Sequence, residues 1–349
     1  MNWRLQSYNQ QILVRLVWVV SVALGLTTFE VTAADWPEHL TLHEESRSPD
    51  GHYGIVVTTS SHVDDGKTFL IPEDDEEFVD YFADLKTHRL LGKIKHFAYV
   101  EGENHGHLDA QWAPDSDLCI ATDWSRYGFA NAVVLEPKGE SLAQADIGQR
   151  IQKSIDAVIA KQSHHANDTG DVSPIFRVEP DRKIRVYADG RTNPKSLEGV
   201  KTYYALFQGR YDLRSKKWIV SAAHALSSKE AEMLDRASTE YSDEQLTIAP
   251  EAFKDLTADA EEPLISDGKT LFRSEETKFK YLDDHLNDVY KAIRLLLPPA
   301  EFAKIKQEQI AWVKKRDASN SVAERSKLTE ERSETLQKLV WVEKKSEEQ

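Results

Sequence analysis

Two short segments of the chain bring histidines and carboxylates together at spacings that could bind a metal ion. The first is His105-Gly106-His107-Leu108-Asp109, and the second joins His164-His165 to Asn167-Asp168-Thr169-Gly170-Asp171. Imidazole nitrogens are common zinc ligands and carboxylate oxygens are common calcium ligands, but a complete site needs about four to eight ligands. Each segment supplies only part of such a set and fits a solvated loop. We therefore predict no metal ion and no other cofactor.

A third segment partly matches the Gly-x-Ser-x-Gly turn that exposes the nucleophile of serine hydrolases. Its sequence is Gly139-Glu140-Ser141-Leu142-Ala143, with alanine in place of the last glycine. Ser141 and Gln144 also have the spacing of a helix-capping box, in which both side chains bind backbone groups at a helix start. We predict that a helix begins here and that the chain has no catalytic residue. The alternative hypothesis is an extracytoplasmic hydrolase or metal-dependent enzyme in this region, with the C-terminal helices as a recognition module.

The elements around these segments belong to a region of mostly period-two pattern. Between about residues 38 and 226, short β-rich runs alternate with turn dipeptides, which is typical of strands. One helix is predicted among them, because Ile147, Ile151, Ile155, Val158 and Ile159 share one helical face. Two turns, at residues 48–51 and 113–116, resemble those of β-propeller blades. They lie 65 residues apart, whereas blades recur about every 40 to 45 residues, so we predict no complete propeller.

The C-terminal region has helical periodicity instead, with residues 298–299 as a proline pair between two helices. The apolar stripe of the first helix contains Phe279, Leu282, Leu286, Val289, Tyr290, Ile293 and Leu297. One side of the second helix carries Phe302, Ile305, Gln309, Trp312, Val313 and Arg316. A capping box from Ser321 to Glu324 starts the third helix, which carries Leu328, Arg332, Leu336 and Leu339. The predicted fold is α+β: a mostly antiparallel sheet domain with one long helix at residues 38–226, a linker with a short helix at 227–270, and a three-helix all-α domain at 271–345.

Within these helices the sequence resembles the LprI-type lysozyme-inhibitor family, over about residues 274–342. The shared elements are an aspartate, Leu-Asn-x-x-Tyr, Gln-x-x-Trp-x-x-x-Arg-Asp and Thr-x-x-Arg. The matching residues are Asp283, Leu286, Asn287, Tyr290, Gln309, Trp312, Arg316, Asp317, Thr329 and Arg332. The resemblance implies a helical domain of a family that includes lysozyme inhibitors. For the motif residues we predict structural roles, with Trp312 buried among Leu286, Tyr290 and Leu336, and Arg316 in a packing-related ion pair or a cap with an aspartate within helix reach.

One departure from the family concerns cysteine. The resemblance implies cysteines around these helices, one of them shortly after the Arg-Asp pair, where this chain has Ser319-Asn320. Cys119 is the single cysteine, so the chain forms no internal disulfide. A cross-linked loop between the second and third helices is therefore not expected here.

The N-terminus has the residue order of a secretory signal. Arg4 and Arg15 precede an apolar or small run at residues 16–26, and Val31-Thr32-Ala33 follows. This run is shorter than the roughly 20 residues that a helix needs to cross a membrane. We predict that residues 1–33 are a signal peptide cleaved near Ala33, that the protein is periplasmic or extracellular, and that it has no stable membrane anchor.

The charge balance narrows the class of partner. With 59 Asp and Glu against 44 Lys and Arg, the net charge is -15. Such a chain repels phosphate backbones, which argues against a nucleic-acid partner, and it favours a basic one. We predict a non-catalytic binding or inhibitory protein of the cell envelope, whose partner is a basic lysozyme-type enzyme or another envelope protein. The sequence leaves the oligomeric state open.

Overall fold

The computed structural model describes residues 40–59, 79–97, 99–101, 106–125, 128–163, 169–192, 201–239, 245–254 and 262–341. The predicted signal peptide, as well as His105, His164 and His165, lies outside these ranges. Within the described ranges, no helix is long and apolar enough to cross a membrane.

The N-terminal part contains three antiparallel meanders, in which strands adjacent in the chain are adjacent in the sheet. The first sheet consists of β1 (Leu40–His43), β2 (Tyr53–Thr59), β3 (Tyr81–Asp84) and β4 (Arg89–Lys93), with β5 (Val100–Glu101) parallel to the end of β2. The second consists of β6 (His107–Trp112), β7 (Cys119–Ser125), β8 (Gly128–Lys138) and β9 (Ser141–Asp146). The third consists of β10 (Thr169–Glu179), β11 (Lys183–Thr192), β12 (Tyr204–Asp212) and β13 (Lys217–Leu226). The predicted antiparallel sheet architecture is confirmed.

The sheets pack through alternating side chains of their strands. In β7, Cys119 and Ala121 belong to the core shared with the first sheet, whereas Ile120 belongs to the core shared with the third. Because successive side chains of a strand point to opposite faces, one strand contributes to both cores. The second sheet is therefore buried on both faces.

The capping box predicted at Ser141 is wrong, because residues 141–146 form strand β9. The Gln144 side chain accepts a hydrogen bond from the Lys95 backbone N–H at 2.9 Å and donates one to the Lys93 carbonyl at 2.9 Å. The whole segment pairs with β8, from Ser141 opposite Lys138 to Asp146 opposite Val133, and this pairing replaces the helical hydrogen bonds that a cap would begin. Ser141 Oγ donates to the Lys138 carbonyl at 3.1 Å and so helps to form the turn before β9.

The predicted helix follows directly as α1 (Gly148–Ser163), and Ile151, Ile155 and Ile159 are buried as expected. It packs between the second and third sheets. Its first residue lies so close to β8 that a Cβ atom would stand 2.4 Å from the backbone nitrogen of Ala132. Only glycine allows the helix to begin at that distance from the strand.

The C-terminal part begins with α2 (Ser228–Ser238) and contains a small sheet of β14 (Leu246–Ile248), β15 (Leu264–Ser266) and β16 (Lys269–Phe272). Much of this lies within residues 227–270, the range predicted as a linker. The three predicted helices follow as α3 (Glu275–Leu296), α4 (Pro299–Asp317) and α5 (Val322–Gln337), here called the helical region. The cap at the start of α5 is half of the predicted box. The Ser321 side chain accepts from the Glu324 N–H at 3.1 Å, while the Glu324 carboxylate binds the Ser319 hydroxyl.

The helical region packs against the outer face of the third sheet. Tyr187, Leu206 and Leu226 of that sheet share one buried cluster with α3 and α5. Gln208 of β12 donates to the carbonyls of Leu295 and Leu296, both at 3.0 Å. These carbonyls end α3 and have no partner within the helix, so the sheet supplies their hydrogen bond.

Candidate functional site

The family-motif residues meet around the side chain of Arg316, at the contact between α3 and α4. Its Nη1 donates to the Asp283 carboxylate, and its Nε donates to Asp317 Oδ1 at 2.9 Å. The guanidinium carbon lies 5.1 Å from the centre of the Trp312 ring and 5.6 Å from that of Phe279. Arg316 is 14% exposed in its side chain, so a partly desolvated cation is held by two carboxylates and two aromatic rings. This is the predicted pairing of Arg316 with an aspartate.

A second guanidinium lies over the same phenylalanine ring. Arg325 of α5 stands 5.2 Å from the centre of Phe279. The Phe279 ring is therefore in cation–π contact with side chains of both other helices, and it links α3 to α4 and α5. We call Phe279, Asp283, Trp312, Arg316 and Arg325 the arginine–aromatic cluster.

Two further motif residues link α4 to α5. Arg332 Nε donates to Gln309 Oε1 at 2.9 Å, and the Arg332 side chain is 12% exposed. Arg332 also lies 3.7 Å from the Glu308 carboxylate. Because a guanidinium that is mostly buried needs polar partners, these contacts favour the observed packing of α4 against α5.

The remaining motif residues lie nearer the core or at the surface. Leu286 is buried, and the Tyr290 ring packs on Phe302 with a centroid distance of 5.1 Å. Burial raises the pKa of Tyr290. Asn287 is exposed.

Trp312 is only partly buried, and in this respect the sequence prediction is wrong. It packs against the cluster that contains Leu286 and Leu336, as predicted, and Tyr290 lies at the edge of the same cluster. In α4, Ile305 is the single buried residue, so this helix lies at the periphery of the core. The Arg316 guanidinium lies over the Trp312 ring, and the Trp312 side chain stays partly exposed at the edge of the core.

A second polar site, between the third sheet and the helical region, was missed from the sequence. Arg185 of β11 donates to Glu301 of α4 with two hydrogen bonds of 2.7 and 2.9 Å, and its Nε donates to Glu179 at 2.9 Å. Arg210 Nε also donates to Glu179, at 2.7 Å. The hydrogen bond from Arg185 lowers the pKa of Glu301. These four residues, here called the interdomain ion network, line a cavity of about 570 Å³ with Leu297, Ile305 and Leu339 at its apolar side.

The sequence contains one indication of this network, in the side chains on the second face of strands β11 and β12. Arg185 and Tyr187 alternate with the buried Ile184, Val186 and Ala188, a pattern that by itself fits a strand with one face in solvent. The size and aromatic character of Tyr187 are the single indication that this face is covered.

A buried histidine lies at the opposite side of the helical region. The amide of Gln337 donates to the carbonyls of Ala237 and Thr239, at 2.9 and 2.8 Å, and lies 3.5 Å from His285 Nε2. Burial lowers the pKa of His285 to about 4. His285 is thus a neutral core residue that fills the space between α2, α3 and α5.

The histidine and carboxylate segments of the N-terminal part form small local contacts where they are described. His107 Nε2 lies 2.8 Å from Asp109 Oδ1, and Trp124 Nε1 donates to Asp109 Oδ2 at 2.8 Å. Among the residues that the structure describes, no group of three His, Cys, Asp or Glu side chains is placed to hold a metal ion. Cys119 is fully buried, and its burial raises the pKa of the thiol.

The helices and their arginine–aromatic cluster define a small all-helical unit built on a β-sheet. Residues 268–348 match the family model described as Lysozyme inhibitor LprI. The match includes every motif residue from Asp283 to Arg332, and it confirms the family resemblance over this range. The residues before it have no family assignment. No curated protein and no solved structure matches the chain.

The matched range differs in charge from the rest of the chain. Residues 268–348 contain 17 Lys and Arg against 15 Asp and Glu, a balance of +2. The other residues contain 27 Lys and Arg against 44 Asp and Glu, a balance of -17. The acidity of the chain therefore lies outside the matched range.

Proposed function

We propose that this chain is an exported, non-catalytic protein that binds a lysozyme-type muramidase at the cell envelope and inhibits it. The observation that carries the proposal is the match of residues 268–348 to a lysozyme-inhibitor family, together with the assembly of the motif residues on three helices. The signal-like order of residues 1–33 supports export.

The charge distribution supports the choice of partner. Muramidases of the lysozyme type are typically basic, and the acidic N-terminal part would attract such an enzyme over about 10 Å at 0.1 M salt. This attraction speeds encounter but gives little affinity, because exposed charges are screened. Inhibition then depends on a surface that covers or enters the substrate cleft, and we assign that surface to the helical region.

In our proposal the N-terminal part attracts the enzyme and does not catalyse a reaction. Several of its described His, Asp and Arg side chains pair in local contacts, as His107 does with Asp109 and Arg191 with Asp171. A hydrolase would need a nucleophile with a base within hydrogen-bond reach. Ser141 instead donates its hydroxyl to a backbone carbonyl.

The test uses the chain from residue 34 with a basic lysozyme-type enzyme and two substrates, whole bacterial cell walls and a soluble chitooligosaccharide. We expect the protein to slow hydrolysis of both at micromolar concentration, with a stronger effect at 0.05 M than at 0.3 M salt. Slowing with cell walls alone would mean that the protein coats the substrate. No slowing with either substrate at either salt concentration would refute the proposal.

A further inference from the structure

The outward half of α4 forms a continuous exposed surface. The residues that face the helical region are Ile305, Gln309, Trp312 and Arg316, all buried or partly buried. On the opposite half lie Ala303, Gln307, Ile310, Ala311 and Lys314, all exposed, and Ile310 is 53% exposed. These positions follow the three- and four-residue spacing of one helix face. The surface is therefore a low ridge of two alanines, a glutamine and a lysine, with the apolar side chain of Ile310 near its centre.

Lysines surround this ridge. Lys304, Lys306, Lys314 and Lys315 are exposed, and Lys306 and Lys314 stand one helical turn before and after Ile310. Lys306, Lys314 and Lys315 make no ion pair with any residue in the described ranges.

The carboxylates of α4 are engaged elsewhere. Glu301 binds Arg185, Glu308 lies towards Arg332, and Asp317 accepts from Arg316. The outward half of α4 is thus locally basic, although the whole chain carries a net charge of -15.

We infer that this outward face of α4 is the surface that enters the substrate cleft of the muramidase, with Ile310 at the centre of the contact. The inference rests on the proposed function and assigns its contact residues. Glycosidases of this class act through two carboxyl groups that flank the scissile bond, so their cleft is locally acidic even when the enzyme is basic overall. An ammonium group next to such carboxylates makes charge-assisted hydrogen bonds, and an exposed isoleucine fills an apolar subsite.

The two charge regions of the chain then act at different distances. The acidic N-terminal part attracts the basic body of the enzyme over many ångströms, whereas the lysines of α4 contact the acidic cleft directly. This arrangement favours one orientation, because an approach with the cleft towards α4 brings the lysines onto acidic groups, whereas an approach with the basic outer surface towards α4 is opposed by like charge. Charge complementarity thus selects both the partner surface and the face of α4.

The experiment compares variants of the chain from residue 34 in the oligosaccharide assay. We expect Ile310→Asp, and separately the double variant Lys306→Gln/Lys314→Gln, to weaken inhibition at least about 10-fold, as central interface residues do. The matched control is Lys217→Gln/Lys229→Gln, which makes the same change in net charge at two exposed residues outside the helical region. It should change inhibition less than about 3-fold, because it alters only long-range attraction.

The outcomes separate this inference from the proposed function. If the unmodified chain does not inhibit, the proposed function fails, and this assignment fails with it. If the unmodified chain inhibits and the α4 variants inhibit equally well, only the assignment of α4 is refuted. Equal losses in the α4 and control double variants, with Ile310→Asp unaffected, would also refute it, since net charge alone would then explain the effect.

Two controls keep the reading of these results unambiguous. Ile310, Lys306 and Lys314 are exposed, so the variants should keep the helical circular dichroism and the urea midpoint of the parent chain. An oligosaccharide that occupies the cleft should compete with the parent chain for the enzyme.

Vesicles of anionic phospholipid test an alternative occupant of this face. If the vesicles bind the parent chain through these lysines, and the variants inhibit as well as the parent chain does, the face binds an anionic surface and our assignment is wrong.

Discussion

Replacing Arg185 with alanine should loosen the contact between the third sheet and the helical region. The Arg185 side chain is 13% exposed and binds Glu179, which is 12% exposed, and Glu301, which is 45% exposed. Removing one partner of a buried ion pair costs about 3 to 5 kcal/mol, because the other charge is left unpaired. Here Glu179 keeps Arg210, and Glu301 regains water. We therefore expect the lower end of that range, about 3 kcal/mol.

The assay is urea unfolding at pH 7, followed by tryptophan fluorescence and by helical circular dichroism. The matched control is Arg191→Ala, also in β11, whose pair with Asp171 is 56% and 52% exposed. Exposed pairs contribute about 0 to 1 kcal/mol, so the control should scarcely change the midpoint. Equal effects of the two variants, or a loss below 1 kcal/mol for Arg185→Ala, would refute the argument that the network holds the two parts together.

The same network should respond to acid. The pKa of Glu301 is lowered in the folded state by its hydrogen bonds to Arg185. Its contribution to stability is therefore fully present above the pKa of an unfolded glutamate, about 4.3, and is lost as pH falls through the folded pKa. Glu301→Gln should remove this part of the acid sensitivity, and a double-mutant cycle with Arg185→Ala should give a coupling energy at pH 7 that declines towards pH 3.

Three further substitutions test the burial of single residues. Burial lowers the pKa of His285 to about 4, so the unfolded chain takes up a proton at higher pH than the folded chain does. Up to about 3 kcal/mol of stability should therefore be lost as pH falls from about 6.5 to about 4. His285→Leu should remove this loss, whereas the control His224→Leu, at an exposed residue, should not. Burial raises the pKa of Asp80 to about 7, so the stability of the protein should fall as pH rises from about 4 to about 7. Asp80→Asn should flatten this dependence of the urea midpoint on pH. An unchanged dependence would show that Asp80 does not cause it. Trp312→Ala should cost about 2 kcal/mol, roughly half the value for a fully buried aromatic residue, and a loss above 4 kcal/mol would show that the indole is buried after all.

The helices were predictable from the sequence because their information is local. The side of α4 named from spacing alone, from Phe302 to Arg316, is the side that is buried or partly buried in the structure. Helical periodicity fixes which residues share a face, and a proline pair and a serine cap fix where helices start. The same reasoning found the buried isoleucines of α1.

The errors arose where contacts between elements, and not local spacing, decide. Ser141 and Gln144 have the spacing of a cap, but pairing with β8 and the contact of Gln144 with Lys93 and Lys95 produce a strand. Glu301 and Arg185 are separated by 116 residues, and no local pattern connects them. The peripheral position of Trp312 has the same origin, because the depth of α4 depends on how the helices rest on the third sheet.

The sheet also explains how the helical region can do without the cysteines that the family resemblance implies. Cys119 is the single cysteine of the chain and lies buried in β7, so packing and hydrogen bonds must hold the helices. Tyr187, Leu206 and Leu226 complete the core of α3 and α5, and Gln208 binds the last carbonyls of α3. A disulfide stabilises mainly by restricting the unfolded chain, whereas these contacts act in the folded state. The hydrogen bonds of Arg185 with Glu301 also hold α4 in place relative to the acidic N-terminal part. The contact face of α4 therefore keeps a constant orientation relative to the acidic N-terminal part. Our inference requires this, because the acidic part attracts the basic enzyme and the lysines of α4 then contact its acidic cleft.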